Sequence, residues 1–177
     1  MPDESTKFAA DPDLFKIMML IGAVMGIGSV FLAWFSLDML VARFEYNGFD
    51  FYLKGLDLPD GYPSAGYYAY MPLAVFAAAA ISVIPAALSF TKRGKNGAAA
   101  ATVLGAVMLA ATLLYIFYPM SKMALISSGA DLIADIRLMD YLGAGVYLAV
   151  IASMLLIIGG AIVMLRNKAD AGVQKSE

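Results

Sequence analysis

Residues 17–37, IMMLIGAVMGIGSVFLAWFSL, form a run of 21 positions without a charged side chain, and this run decides the class of the chain. A helix of about 20 apolar residues is long enough to cross the hydrocarbon core of a bilayer. Three further uncharged runs occupy residues 71–91, 97–119 and 141–165. We therefore expect four transmembrane helices, with the first placed over residues 14–40.

The composition agrees with a membrane protein and excludes several classes of function. Of the 177 residues, 62% are hydrophobic and 15% charged, whereas soluble domains are nearer half apolar and a quarter charged. The net charge of −2 gives no basic surface for nucleic acid. The absence of cysteine and histidine removes the thiol nucleophile, the commonest general base and the commonest metal ligand. We therefore expect no enzyme activity, no cofactor and no nucleic-acid partner.

Residues 44–52, FEYNGFDFY, follow the first apolar run and carry a strong hairpin signal. Asn-Gly between alternating aromatic residues is typical of a two-residue type I′ turn. With Asn47-Gly48 as the turn, Tyr46 lies opposite Phe49, and the aromatic rings share one face. This face either recognises a partner or closes over the outer ends of the helices. The aromatic residues concerned are Phe44, Tyr46, Phe49 and Phe51.

The same register predicts that Glu45 lies opposite Asp50, where like charges repel. Arg43 and Lys54 are near enough in sequence to offset this repulsion. The alternative is a bound cation such as Ca²⁺, because hard cations prefer carboxylate oxygens. The acidic residues of this outer loop are Glu45, Asp50, Asp57 and Asp60.

The distribution of Lys and Arg predicts the orientation in the membrane. The two tails (1–13 and 166–177), Lys16 and the turn 92–96 hold eight of these residues, and the loops 41–70 and 120–140 hold four. Positive charge concentrates on the cytoplasmic side. We expect both termini in the cytoplasm of a multi-pass protein of the cell membrane, with the two loops outside. Three cations of the inner turn either bind anionic lipid headgroups or serve only as topology signals: Lys92, Arg93 and Lys95.

Small and hydroxyl residues recur in the four runs. Glycines at Gly22, Gly26, Gly105 and Gly145 favour close helix packing, within the chain or between copies. The runs contain no ionisable acid or base of the kind that marks a proton pump or an ion-coupled transporter. Their hydroxyls are expected to bond to their own backbone or to a neighbouring helix, and these are chiefly Ser29, Ser82, Thr102, Thr112 and Ser153. Trp34, near the end of the first run, is expected at the lipid–water interface.

A large first outer loop with strands, a short basic inner turn and a smaller second outer loop resemble the claudin-type tetraspan layout. The segments 33–36, AWFS, and 46–49, YNGF, are also similar to those of small prokaryotic four-span membrane proteins. The resemblance implies a four-helix topology and no particular activity.

We therefore expect an all-α integral membrane protein: a four-helix transmembrane bundle with a small extracytoplasmic β-hairpin in the first outer loop. The expected function is that of a structural or accessory subunit, whose outer aromatic and acidic loop recognises a partner. The expected partners are membrane lipids and either other membrane subunits or a second copy of the chain. A small channel or transporter for a neutral or apolar solute is the alternative.

Overall fold

The computed structural model describes residues 12–38, 43–50, 70–91, 94–117 and 142–173. In these ranges the chain forms helices and one small sheet. The helices are α1 (Pro12–Ser29), α2 (Met71–Leu88), α3 (Gly94–Phe117) and α4 (Ala144–Val173). The strands are β1 (Ala33–Asp38) and β2 (Arg43–Asn47).

The helices form an antiparallel bundle. α1 packs against α2 and α4, and α3 packs against the same two helices. At one end of the bundle Lys16 of α1 lies over the ring of Phe90, which follows α2. At the other end Trp34, which follows α1, contacts Tyr115 near the end of α3. The chain therefore reverses direction from each helix to the next.

Among the described residues, α2, α3 and the segment Ala144–Arg166 of α4 are long and apolar enough to cross a membrane. The shortest of them has 18 residues, which corresponds to a length of about 27 Å. Many of the large apolar side chains on these helices point away from the bundle, as expected in lipid. The length and composition of these helices indicate a helical membrane protein, and the number of crossings stays a prediction.

The first helix is shorter than the predicted span 14–40. It ends at Ser29, and the strand β1 follows. Gly26 and Gly28 weaken the last turns of the helix. The N–H of Phe31 then donates to the carbonyl of Gly28 at 3.1 Å. This bond joins residues three positions apart, as in the tightened last turn of a helix. Apolar composition extends past this point, but composition alone does not separate a buried strand from a helix.

A small two-stranded sheet is confirmed, but the predicted turn at Asn47-Gly48 is wrong. β2 pairs in antiparallel fashion with β1, so that Tyr46 lies opposite Phe35 instead of Phe49. The side-chain oxygen of Asn47 accepts hydrogen bonds from the backbone N–H groups of Phe49 and Asp50, each at 2.9 Å. This local Asx-type bonding closes the end of β2, and residues 48–50 that follow it are not extended.

The four glycines predicted for helix packing each lie where a side chain would collide with another segment of this chain. A Cβ atom at Gly22 would lie 2.8 Å from the carbonyl oxygen of Ala152. At Gly105 it would lie 2.8 Å from Cβ of Leu156, and at Gly26 it would lie 2.9 Å from Cβ of Ala79. At Gly145 it would meet the indole ring of Trp34 at 2.6 Å. These positions bring the backbones of the bundle close together.

The predicted spans 71–91, 97–119 and 141–165 correspond to helices that begin at Met71, Gly94 and Ala144. Residues 1–11 of the first tail, the loop 120–140 and most of the loop 41–70 lie outside the described residues.

Candidate functional site

The candidate site is the end of the bundle that carries the sheet. We call this region the cap and define it as residues 30–38, 43–50 and 142–143. It lies over the end of α1, the start of α2, the end of α3 and the start of α4. No other described region combines irregular backbone with several of the residues predicted from sequence.

Trp34 is the centre of the cap and is fully buried. The register of the sheet shifts between Ala33 and Phe35, which leaves Trp34 as an extra residue opposite β2. Such bulges redirect a side chain. The indole ring lies edge-on to the ring of Tyr115, with centroids 5.0 Å apart. The expected position of Trp34 at the lipid interface is therefore wrong, because the indole fills the end of the bundle.

The polar atoms of Trp34 are satisfied by three different segments. Its ring N–H donates at 2.9 Å to the carbonyl of Ser29 at the end of α1, which also accepts from the backbone N–H of Leu32 at 3.3 Å. Its own carbonyl accepts from the hydroxyl of Tyr115 at 3.2 Å and from the backbone N–H of Gly143 at 3.0 Å. Trp34 thus joins the ends of α1 and α3 to the segment that precedes α4.

β1 occupies the middle of the cap, between β2 on one side and residues 142–143 on the other. Phe35 forms an isolated antiparallel bridge with Leu142. On the other side the N–H of Gly48 donates to the carbonyl of Val30 at 2.8 Å. These backbone bonds therefore join the three segments of the cap to one another, which satisfies non-helical backbone as the neighbourhood of a membrane requires.

Two of the predicted partner-binding aromatic residues pack onto the bundle. The ring of Phe49 lies 5.3 Å from the rings of both Phe31 and Phe76. The ring of Tyr46 lies 6.2 Å from that of Phe35, and both Tyr46 and Phe49 pack against the buried core. These two side chains close over the ends of the helices, which is the alternative given for this face. The side chain of Phe44 and the whole of Phe51 lie outside what the structure describes.

The acidic residues of the first loop do not pair as predicted. Glu45 is exposed and lies opposite Ser36, so the predicted repulsion with Asp50 does not arise. The carboxylate of Asp50 accepts a hydrogen bond from the N–H of Asn47 at 3.1 Å. Asp57 and Asp60 lie outside the described residues, and within those residues no three acidic side chains converge on one point.

One of the three cations predicted to bind lipid headgroups, Lys95, lies at the opposite end of the bundle from the cap. Lys95 is exposed in the first turn of α3, and Lys92 and Arg93 lie outside the described residues. Near Lys95, Gly94 packs against the carbonyl of Ser89, which holds the turn between α2 and α3 close to the bundle.

The hydroxyl groups inside the helices bond to their own backbone, as predicted. Each donates to a carbonyl three or four residues earlier, at distances from 2.6 to 2.9 Å. The five predicted residues are Ser29, Ser82, Thr102, Thr112 and Ser153, and Ser89 behaves in the same way. Each of these hydroxyls therefore has its hydrogen-bond acceptor within its own helix.

Sequence reasoning missed the contacts of Phe31, Phe35, Tyr115 and Gly143. The only local signal is the sequence Gly26-Ile27-Gly28-Ser29, which is a poor helix interior and precedes the segment that becomes β1. Nothing in the sequence pairs Tyr115 with Trp34, because the two residues are 81 positions apart.

Fold and site together define a helical membrane protein with a small, tightly bonded cap at one end of the bundle. Comparison of the chain with protein-family models, with curated proteins and with solved structures finds no match. The likeness to claudin-type proteins is confined to the coarse topology of apolar helices with a small sheet.

Proposed function

We propose that the protein is a structural or accessory subunit of a membrane assembly, and that it recognises a partner through the outer loop carried by the cap. The observation that carries this proposal is the anchoring of both ends of that loop. A Cβ atom at Gly48 would lie 2.7 Å from Cγ1 of Val30 and 2.8 Å from Cβ of Pro72. Gly48, at the start of the loop, therefore lies close to Pro72, which follows the end of the loop at the start of α2.

Rigid anchoring favours recognition, because a loop with fixed ends loses less conformational freedom on binding. Phe49 strengthens the anchor through its ring contact with Phe76 of α2. Glu45 is exposed on the sheet beside it and supplies a charged group for a partner. The recognition surface then consists of Glu45 and the loop, with Tyr46 and Phe49 as its support.

The proposal includes four membrane crossings, with both termini in the cytoplasm and the cap outside. Two findings support it: α1 packs between two helices that can cross a membrane, and three cations, Lys16, Lys95 and Arg166, lie at the end opposite the cap, whereas the described residues of the cap include one, Arg43. The natural chain has no cysteine, so single-cysteine variants give an unambiguous test. In intact cells an impermeant maleimide should label Glu45→Cys, and it should label Lys95→Cys only after permeabilisation. The reverse pattern would overturn the orientation.

Site-specific crosslinking tests partner recognition directly. A photoreactive phenylalanine analogue placed at Glu45 should give an adduct of discrete mass in native membranes. Lys95 is the matched control, because it is also exposed and lies at the other end of the bundle. An adduct with a second copy would identify a homo-oligomer, and an adduct with another protein would identify an assembly. Absence of an adduct at position 45, or the same adduct at both positions, would contradict the proposal.

A further inference from the structure

Two pairs of a cation and an aromatic ring lie at the end of the bundle opposite the cap, and we call this region the cation–aromatic layer. The ammonium group of Lys16 lies 5.6 Å from the ring centroid of Phe90. The guanidinium of Arg166 lies 5.2 Å from the ring centroid of Phe15. Both separations are within the range of a cation–π interaction. Consecutive residues of α1 therefore connect this layer to α2 on one side and to α4 on the other.

The layer coincides with the ends of two helices that can cross a membrane. One apolar segment ends at Leu88, two residues before Phe90, and the other ends at Arg166 itself. Lipid headgroups begin where the apolar segments end, and long cationic side chains extend to that depth. The two rings hold Lys16 and Arg166 at the level where phosphate groups of the bilayer lie.

The charge balance of this layer favours an anion. The charged side chains that the structure describes here are Lys16, Lys95, Arg166 and one acid, Asp13, while Lys168 and Asp170 farther along α4 are opposite in charge and cancel. Asp13 bonds to Lys16 at 2.8 Å, and its side chain is 60% exposed while that of Lys16 is 21% exposed. Asp13 thus offsets part of the positive charge from the solvent side, and Lys16 is held against the protein.

We propose that this end of the bundle binds the headgroups of anionic phospholipids, with Lys16 and Arg166 as separate cationic contacts and Phe90 and Phe15, respectively, as their positioning residues. The site is centred on α1 and differs from the basic turn 92–95 that the sequence indicated. It does not depend on the partner recognition proposed above, because it lies at the other end of the molecule.

The test uses the full chain in nanodiscs of equimolar phosphatidylcholine and phosphatidylglycerol, with retained lipid counted by native mass spectrometry. Lys16→Gln and Arg166→Gln should each lower retention of phosphatidylglycerol about fivefold, the effect of one cation at an anionic surface. Lys95→Gln, at the basic turn, should lower it much less. Equal losses in all three variants, or no loss in the first two, would overturn the proposal.

Asp13→Asn separates lipid binding from a general loss of structure. Removing the carboxylate that offsets Lys16 should raise retention of phosphatidylglycerol, whereas a destabilised protein would not gain lipid. Phe15→Leu and Phe90→Leu keep the apolar bulk and remove the ring face, so they should lower retention with unchanged helix content. Excess inorganic phosphate should not displace the lipid, and displacement would indicate a soluble anion instead and overturn the proposal.

Discussion

The hydroxyl of Tyr115 donates a hydrogen bond of 3.2 Å to the main-chain carbonyl of Trp34, and the ring of Tyr115 lies edge-on to the indole of the same residue. One side chain near the end of α3 therefore fixes both the backbone and the ring of the residue at the centre of the cap. The carbonyl of Trp34 also accepts from Gly143, so the two donors share one acceptor.

Tyr115→Phe tests the hydroxyl alone. The ring contact with Trp34 remains, and the carbonyl keeps its bond from Gly143. We expect a loss of about 1 kcal/mol in the free energy of unfolding, typical of one buried hydrogen bond. Thermal unfolding in detergent measures it. Tyr147→Phe is the control, because the side chain of Tyr147 is 59% exposed, and an equal loss there would argue against a specific role for Tyr115.

Tryptophan fluorescence tests the burial of Trp34, the only tryptophan in the chain. An indole enclosed by protein should emit at short wavelength and resist quenching by aqueous acrylamide. It should also resist quenching by lipids brominated near the headgroup, because Trp34 does not face the bilayer. Strong quenching by such lipids would restore the interfacial position that the sequence suggested.

Gly22 and Gly28 form a matched pair on α1. A Cβ atom at Gly22 would meet the backbone of α4, whereas nothing lies within 4 Å of one at Gly28. Gly22→Ala should therefore lower the free energy of unfolding by about 1–3 kcal/mol through overpacking. Gly28→Ala should leave it unchanged or raise it by about 0.5–1 kcal/mol, because alanine favours helix. Similar effects at both positions, measured by thermal unfolding, would contradict the packing of α1 on α4.

Phe49 and Glu45 should respond differently to alanine. Phe49→Ala removes a ring that contacts both Phe31 and Phe76, and two aromatic contacts contribute about 1–3 kcal/mol to the free energy of unfolding. Glu45→Ala changes an exposed side chain and should stay within about 0.5 kcal/mol of the wild type. Limited proteolysis after residue 50 should be faster in Phe49→Ala. Equal stability of both variants would place Phe49 outside the anchor of the loop.

The helices were predictable from sequence, because long uncharged runs such as residues 71–91 have few alternatives to a spanning helix. The partner strand of Tyr46 was not predictable. Residues 33–37 continue the uncharged run of the helix before them, and in the structure this segment is extended and paired with β2. Local turn chemistry at Asn47-Gly48 suggested a hairpin, and the tertiary bonds of Gly48 to the end of α1 decided against it.

The candidate site was predicted only in part. The sequence pointed to the segment around Tyr46 and Phe49, which the structure places in the cap. It predicted that these rings contact a partner, whereas in the structure they pack against the core. Their packing depends on Phe31 and Phe76, which belong to separate segments. The contact of Trp34 with Tyr115 joins residues far apart in the chain, and a single sequence carries no signal for such a pair.

The shared acceptor at Trp34 also sets an order of assembly. Its donors come from the end of α3 and from the residue before α4, so the bonding of the cap is incomplete until most of the chain has been synthesised. A chain still on the ribosome and truncated before Gly143 would have the bond from Tyr115 but would lack the second donor to Trp34. The last hydrogen bond to the centre of the cap therefore forms only after the segment that precedes α4 has been made.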